Sequence, residues 1–312
     1  MPAILVTRPL RSAVIARLQE IGTVEVYSEG AMPPELLRQR IADKDALVCV
    51  ATDDINQSLI DAGALLKVVA NIAVGYNNID VAHARSRGVV VTNTPDVLTD
   101  SVAHFTWGMI LAITRRLAEG DRLVRRHGWK GFALDFMLGS ELTGKQLGLV
   151  GFGRIGRAVA ARAPAFGMHV AYADEVETEG PWERMSLDRL LNTSDIVSLH
   201  VPQTPRTRHL IDKRALTRMK RSAYLINTAR GLVVEEAALA WALEQRLIAG
   251  AALDVYENEP IVHADLLTLE NVLLVPHLGS ATTETRTAMA NLAVSNVAAV
   301  LAGLPPLTPV LT

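Results

Sequence analysis

Cysteine is almost absent: Cys49 is the only one in 312 residues, inside the apolar run Ala46 to Ala51. A single thiol excludes an intrachain disulfide and a thiolate metal site, and it fits a reducing, cytoplasmic setting. An excess of either charge is also missing. With a formal net charge of -2, the chain lacks the basic footprint of a nucleic-acid binder. The local basic cluster Arg115, Arg116, Arg122, Arg125 and Arg126 lies on a helical pattern and reads as a solvated or subunit-facing surface. There is no long apolar run, and Met1 to Pro9 leads into the strand-like Ile4-Leu5-Val6 without a basic leader, so neither export nor a membrane is expected. The histidines at 83, 104, 127, 169, 209 and 263 show no metal spacing, and no G-x-S-x-G elbow or solenoid repeat occurs.

What is present is an ordinary globular composition, 49% hydrophobic and 21% charged, on a chain long enough for two domains. Short apolar runs alternate with helical patterns over the first 93 residues: Ile4 to Val6, Val24 to Tyr27, Ala46 to Ala51, Val68 to Ala73 and Val89 to Thr92. That alternation predicts a parallel sheet with helical crossovers. A helix is predicted from about Thr99 to Arg126 as a bridge between domains, with Val102, Phe105, Met109, Ile113 and Leu117 on one face. Beyond it, Trp129 to Leu138 is aromatic, apolar and glycine-punctuated, which suits burial against another subunit or a small satellite core.

The second half opens with Leu147 to Gly156, in which Gly151, Gly153 and Gly156 have G-x-G-x-x-G spacing between an apolar strand and the helix-like Arg157 to Phe166. Gly151 permits the tight turn, Gly153 lets backbone N–H groups approach a pyrophosphate, and Gly156 lets helix and strand pack closely. Asp174 ends the next strand, His169 to Ala173, about 20 residues on, where a carboxylate accepts hydrogen bonds from ribose hydroxyls. Further strands at Ile196 to Val201, Ala223 to Thr228, Ala251 to Val255 and Leu273 to Val275 complete a doubly wound cofactor domain. A last amphipathic helix from Thr282 is expected to return to the first sheet. The expectation is therefore α/β, two doubly wound parallel-sheet domains, with a Rossmann cofactor domain (residues 96–282) inserted into a flavodoxin-like substrate domain (residues 1–95 and 283–312).

Three loops at the carboxyl ends of second-domain strands carry the chemistry: Asn227 to Gly231, Asp254 to Pro260, and Pro276 to Ser280. Arg230, Glu259 and His277 together suit reduction of a 2-oxo acid. The guanidinium grips a carboxylate, the imidazolium protonates the ketone oxygen, and the acid holds the imidazole charged. His200 is a rival base, although Pro202 and the strand end beside it favour a wall of the nicotinamide pocket.

With these pieces the chain resembles the D-isomer-specific 2-hydroxyacid dehydrogenase family over nearly its whole length. Ala73 to Asp80, the glycine fingerprint, His200-Val201-Pro202 with Thr204-Pro205, and the three loops carry the resemblance. It implies that Arg230 orients substrate, that Glu259 and His277 relay the proton, and that Val74 and Gly75 offer backbone N–H groups to the substrate carboxylate. The implied NAD contacts are Gly151, Gly153, Arg154, Ile155, Gly156, Asp174, His200, Val201, Pro202, Thr207, Thr228, Ala229, Arg230, Asp254, His277 and Gly279, with no metal. Asn71 to Tyr76 is most similar to the glyoxylate/hydroxypyruvate reductase branch, which implies a small 2-oxo acid substrate, a homodimer, and an arm around Trp129 that reaches the partner's active site. Asp174 and Glu175 imply NADH over NADPH. Val74 and Asn71 replace the cations of relatives that take phosphorus substrates, Phe132 replaces an arm tryptophan, and His104 stands where an acid is common. The alternatives are an NAD-sensing corepressor-like binding protein and, among enzymes, a 2-oxo sugar acid reductase or a phosphoglycerate dehydrogenase.

Overall fold

Strands buried on both faces need uninterrupted apolar residues, which is what the short runs provide. The computed structural model describes residues 1–311. Its first strands are β1 (Ala3–Val6), β2 (Thr23–Val26), β3 (Ala46–Cys49), β4 (Val68–Asn71) and β5 (Val90–Thr92), alternating with α1 (Ser12–Ile21), α2 (Pro34–Arg40), α3 (Gln57–Ala62) and α4 (Val81–Ser86). They pair in parallel in the order β2-β1-β3-β4-β5, a flavodoxin-like sheet.

After α5 (Thr99–Thr114) and α6 (Leu117–Arg125) come β6 (Gln146–Val150), α7 (Arg154–Ala160), β7 (His169–Ala173), β8 (Glu183–Arg184), α8 (Leu187–Thr193) and β9 (Ile196–Leu199). The unit continues through α9 (Lys213–Arg218), β10 (Tyr224–Asn227), α10 (Glu236–Glu244), β11 (Gly250–Leu253), α11 (Ala264–Leu267) and β12 (Val272–Leu274), and the last helix is α12 (Thr283–Leu301). The second sheet is also parallel, ordered β12-β11-β10-β9-β6-β7-β8. This is the Rossmann order with one more strand, and it reverses between β6 and β9, the crevice where such sheets bind ligands.

The chain divides into two compact units, Met1–Leu98 together with the chain from Thr282, and Thr99–Ala281. In the first, Ile4, Val6, Val14, Leu18 and Val48 pack with Ala290, Ala293, Val294 and Val297 of α12, while Leu5, Leu47 and Val69 pack under α2, α3 and α4. In the second, Ala103, Trp107 and Ile110 of α5 cover Leu147, Leu149 and Val159, and Leu190, Leu216 and Leu239 cover the other face.

The structure corrects the bridging helix. One helix was expected from Thr99 to Arg126, but α5 ends at Thr114 and α6 starts at Leu117. Ser140 N–H donates to the Thr114 carbonyl (2.8 Å), taking the acceptor a continuing helix would use. Arg116 is left-handed (φ 55°) and clasps Glu119 through two hydrogen bonds of 2.7 and 2.8 Å. Leu117 consequently turns to solvent, whereas Val102, Met109 and Ile113 are buried. The segment from Trp129 to Leu138 is not a satellite core: Phe132 is 85% and Leu134 87% exposed. The helix expected from Arg157 to Phe166 instead starts at Arg154 and gives way to a 3-10 turn, Ala163–Phe166, around Pro164.

His104 has a local explanation. Arg162 Nη2 lies 2.7 Å from Asp100 Oδ1 and 3.0 Å from His104 Nε2. Since a guanidinium only donates, the Nε2 lone pair acts as the acceptor that an acid would supply at this position.

Candidate active site

The glycine fingerprint lies at the strand-order reversal, with each glycine in a different situation. Gly151 has φ 90°, and a Cβ there would lie 2.6 Å from the His200 carbonyl carbon. At Gly156 a Cβ would stand 2.4 Å from the Gly151 oxygen, so only a bare α-carbon lets α7 sit on the turn. Gly153 meets nothing within 4 Å. That open space, facing a helix start whose first N–H groups have no intrahelical acceptor, fits a pyrophosphate. Arg154 and Ile155 open α7 directly behind it.

Asp174 follows β7 and accepts from Phe152 N–H (2.6 Å) and Val176 N–H (2.9 Å), which ties the glycine turn to the loop after β7. Glu175 beside it pairs with Arg206 (2.9 Å). His200 follows β9, and its Nε2 is 2.9 Å from Ser198 Oγ. Burial lowers its pKa to about 4, so the ring is neutral near pH 7. A neutral ring suits a pocket wall better than a proton donor. Val201 and Pro202 continue this wall, and Thr207 Oγ donates to the Pro202 carbonyl (2.6 Å).

The loop after β10 is shaped by Asn227, whose Oδ1 accepts from Ala229 N–H (3.1 Å) and whose Nδ2 donates to the Arg230 carbonyl (3.0 Å). Thr228 bonds Thr106 of α5 at 3.0 Å. Arg230 Nη1 donates to the Ala229 carbonyl (2.7 Å), which fixes the start of the guanidinium fork. Burial pulls this guanidinium below its ordinary value while the Glu259 charge opposes that shift. An arginine stays charged regardless, so its desolvation favours an anionic partner. Gly231 brings the loop against the next one, because a Cβ there would fall 1.9 Å from the Tyr256 carbonyl.

Glu259 Oε2 is 2.9 Å from His277 Nδ1, and Oε1 accepts from Tyr256 N–H (3.1 Å). Burial alone would raise the Glu259 carboxyl, but the His277 hydrogen bond and charge, Tyr256 N–H and Arg230 hold it below its ordinary value. An ionised Glu259 accepts a hydrogen bond from Nδ1–H of His277, which leaves Nε2 for proton exchange. His277 itself is left-handed (φ 52°), a conformation that costs a residue with a Cβ about 1–2 kcal/mol. Asp254 holds it there. Its carbonyl accepts from His277 N–H (3.0 Å), and its buried carboxylate takes Leu278 N–H (2.5 Å) and Gly279 N–H (2.9 Å). Burial raises the Asp254 carboxyl against the pull of these N–H groups. Among the described residues no cluster of His, Cys, Asp or Glu could hold a metal, and no helix is long and apolar enough to cross a membrane.

Arg230, Glu259 and His277 thus occupy three neighbouring loops of one unit. Val74 and Gly75 belong to the other unit, in the turn after β4. Asn71 is fully buried and donates to the Gly75 carbonyl (2.9 Å), so it serves this turn and faces no ligand. Sequence reasoning missed that role, and that of Asn93, whose Nδ2 donates to the Val74 carbonyl (2.8 Å). The only signal was an asparagine in the turn-rich Asn93-Thr94-Pro95-Asp96.

A Rossmann sheet with a dinucleotide turn, a partly buried arginine and a carboxylate-held histidine defines a nicotinamide-dependent oxidoreductase. The model for the NAD binding domain of D-isomer specific 2-hydroxyacid dehydrogenases matches residues 107–279. A glyoxylate reductase of Thermofilum pendens is 49% identical, with 98% of this chain and 93% of the relative covered. The crystal structure of a Thermus thermophilus protein superposes with a TM-score of 0.95 at 42% identity, covering 99% of this chain and 100% of that one. An NADPH-dependent glyoxylate/hydroxypyruvate reductase of Sinorhizobium meliloti, solved with NADP and malonate, gives 0.90 at 37% identity, with 99% and 96% covered. The chain belongs to the D-isomer specific 2-hydroxyacid dehydrogenase family. It is an oxidoreductase that transfers a hydride between NAD(P)H and a 2-oxo acid.

Proposed function

We propose that the protein reduces a small 2-oxo acid, glyoxylate or hydroxypyruvate first, with NADH as the preferred donor and the D-2-hydroxy acid as product. The observation that carries this reading is the 2.9 Å pair of His277 Nδ1 with Glu259, on the loop next to that of the half-buried Arg230. Bound NADH supplies the hydride. Arg230 grips the substrate carboxylate, and His277 gives the ketone oxygen its proton while Glu259 keeps the ring oriented. In the first unit, the turn after β4 offers the Val74 and Gly75 N–H groups to a carboxylate. Uncharged Val74 and the committed amide of Asn71 offer no second anion site, so phosphorylated acids should be poor substrates.

NADH preference is supported by Asp174, whose carboxylate would accept the ribose hydroxyls and repel a 2′-phosphate. The exposed Trp129, Phe132, Leu134, Phe136 and Leu138 support a homodimer in which this arm is covered by the second copy. A panel of 2-oxo acids with NADH and NADPH, followed at the nicotinamide absorbance, tests the reading. The expected ranking by kcat/KM puts glyoxylate and hydroxypyruvate with NADH first. Superior turnover of a phosphorylated acid would overturn the substrate assignment, and NADH binding without any turnover would favour a nucleotide sensor.

A further inference from the structure

The turn after β4 has an unusual distribution of hydrogen bonds. Three successive carbonyls face inward onto donors: Ala73 C=O accepts Thr94 N–H (2.8 Å), Val74 C=O accepts Asn93 Nδ2 (2.8 Å), and Gly75 C=O accepts Asn71 Nδ2 (2.9 Å). In a planar trans peptide, C=O and the following N–H point in opposite directions. The N–H groups of Val74, Gly75 and Tyr76 are therefore turned away from those donors. None of the three donates to a backbone acceptor among the described residues. Neighbouring N–H groups left without a backbone acceptor are donors that an anion can take up.

Two side-chain amides carry much of this arrangement, and each is held from behind. Asn71 is fully buried. Its Oδ1 faces the Cys49 thiol (3.7 Å), and its Nδ2 is also 3.3 Å from Asn78 Oδ1. Asn78 in turn donates to the carbonyls of Val50 (3.2 Å) and Asp53 (2.9 Å). The Asn93 backbone is clamped by Thr308, whose N–H and Oγ are bonded to the buried Asn296 of α12 at 3.0 and 2.8 Å, and whose Oγ donates to the Asn93 carbonyl (2.6 Å). An apolar residue would fill the Asn71 position without the cost of burying an amide.

We propose that Asn71 and Asn93 are positioning residues that preset the Val74, Gly75 and Tyr76 N–H groups as a three-donor cradle for the substrate carboxylate. Thr308 transmits the support of α12 to Asn93. This inference rests on the reading that the turn holds the substrate carboxylate.

The test uses Asn93→Ala, Asn71→Leu and Thr308→Val in the full chain. For each, the KM for glyoxylate, the Kd of the unreactive isostere oxamate for the enzyme–NADH complex, the Kd of NADH and the Tm are measured. In Asn93→Ala, KM and oxamate Kd should both rise about tenfold or more, because charge-assisted N–H contacts are lost. NADH affinity should be unchanged and kcat at saturation kept within about threefold, a split that general loosening would not produce. Thr308→Val keeps the shape, should give a smaller rise of the same kind, and decides the matter if either asparagine variant fails to fold. Unchanged KM and oxamate Kd in the folded variants would overturn the positioning role, as would an equal loss of NADH affinity. Failure of the wild type to bind oxamate while binding NADH would instead remove the carboxylate reading, and the cradle with it.

Discussion

At the scale of single residues, the proposed proton donor, His277, is kept in an uncommon backbone conformation. Asp254 does this by accepting from three consecutive N–H groups, those of His277, Leu278 and Gly279. Replacing His277 with Ala should lower kcat for 2-oxo acid reduction by about 10²–10⁴-fold, with NADH binding retained, as measured by steady-state kinetics and fluorescence titration. His200 gives a stability prediction. Its folded pKa of about 4 lies below the usual 6.5, so between those values the unfolded chain binds a proton that the folded chain does not. Stability should fall as pH drops from about 6.5 towards 4, by up to about 3 kcal/mol, and level off below that. Chemical denaturation at pH 7 and pH 4.5 reads this loss, and His200→Gln should lessen it. An equal loss in that variant would assign the effect to other groups.

Among the elements, glycines decide which loops can touch. Gly231→Ala puts a Cβ 1.9 Å from the Tyr256 carbonyl, so the Arg230 loop and the loop of Glu259 must separate. Expected are a lower Tm and a kcat/KM for glyoxylate reduced by about tenfold or more, since small misplacements of a positioned group cost about that much or more. The exposed arm gives another outcome. Leu134→Asp should weaken self-association in sedimentation velocity if the arm is the covered surface, and an unchanged dimer would locate the interface elsewhere. Strands, glycine turn and loop motifs were legible in the sequence because each rests on local periodicity or a fixed short spacing. The break after Thr114 was not, since it depends on Ser140 returning from 26 positions on to take a carbonyl. Asn71 and Asn93 were equally hidden. Their amides act on carbonyls 4 and 19 positions away, and nothing in residue type marks those partners. Arg162 explained His104 only once α5 lay beside the turn at residue 162.

For the whole molecule, two parallel sheets of different strand order divide the work. The seven-stranded sheet carries the dinucleotide turn at its order reversal together with Arg230, Glu259 and His277. The five-stranded sheet carries the carbonyl-locked turn after β4. Cofactor choice belongs to the larger sheet. Asp174→Ala should reduce the preference for NADH over NADPH, read as the ratio of kcat/KM values, and an unchanged ratio would separate Asp174 from ribose recognition. The central claim, that His277 protonates a 2-oxo acid bound by Arg230 as NADH is oxidised, is tested most directly by glyoxylate-dependent NADH oxidation in wild type and His277→Ala at matched NADH occupancy. The account predicts rapid oxidation in the wild type and a rate lower by about 10²–10⁴-fold in the variant. Equal rates in the two proteins would contradict it.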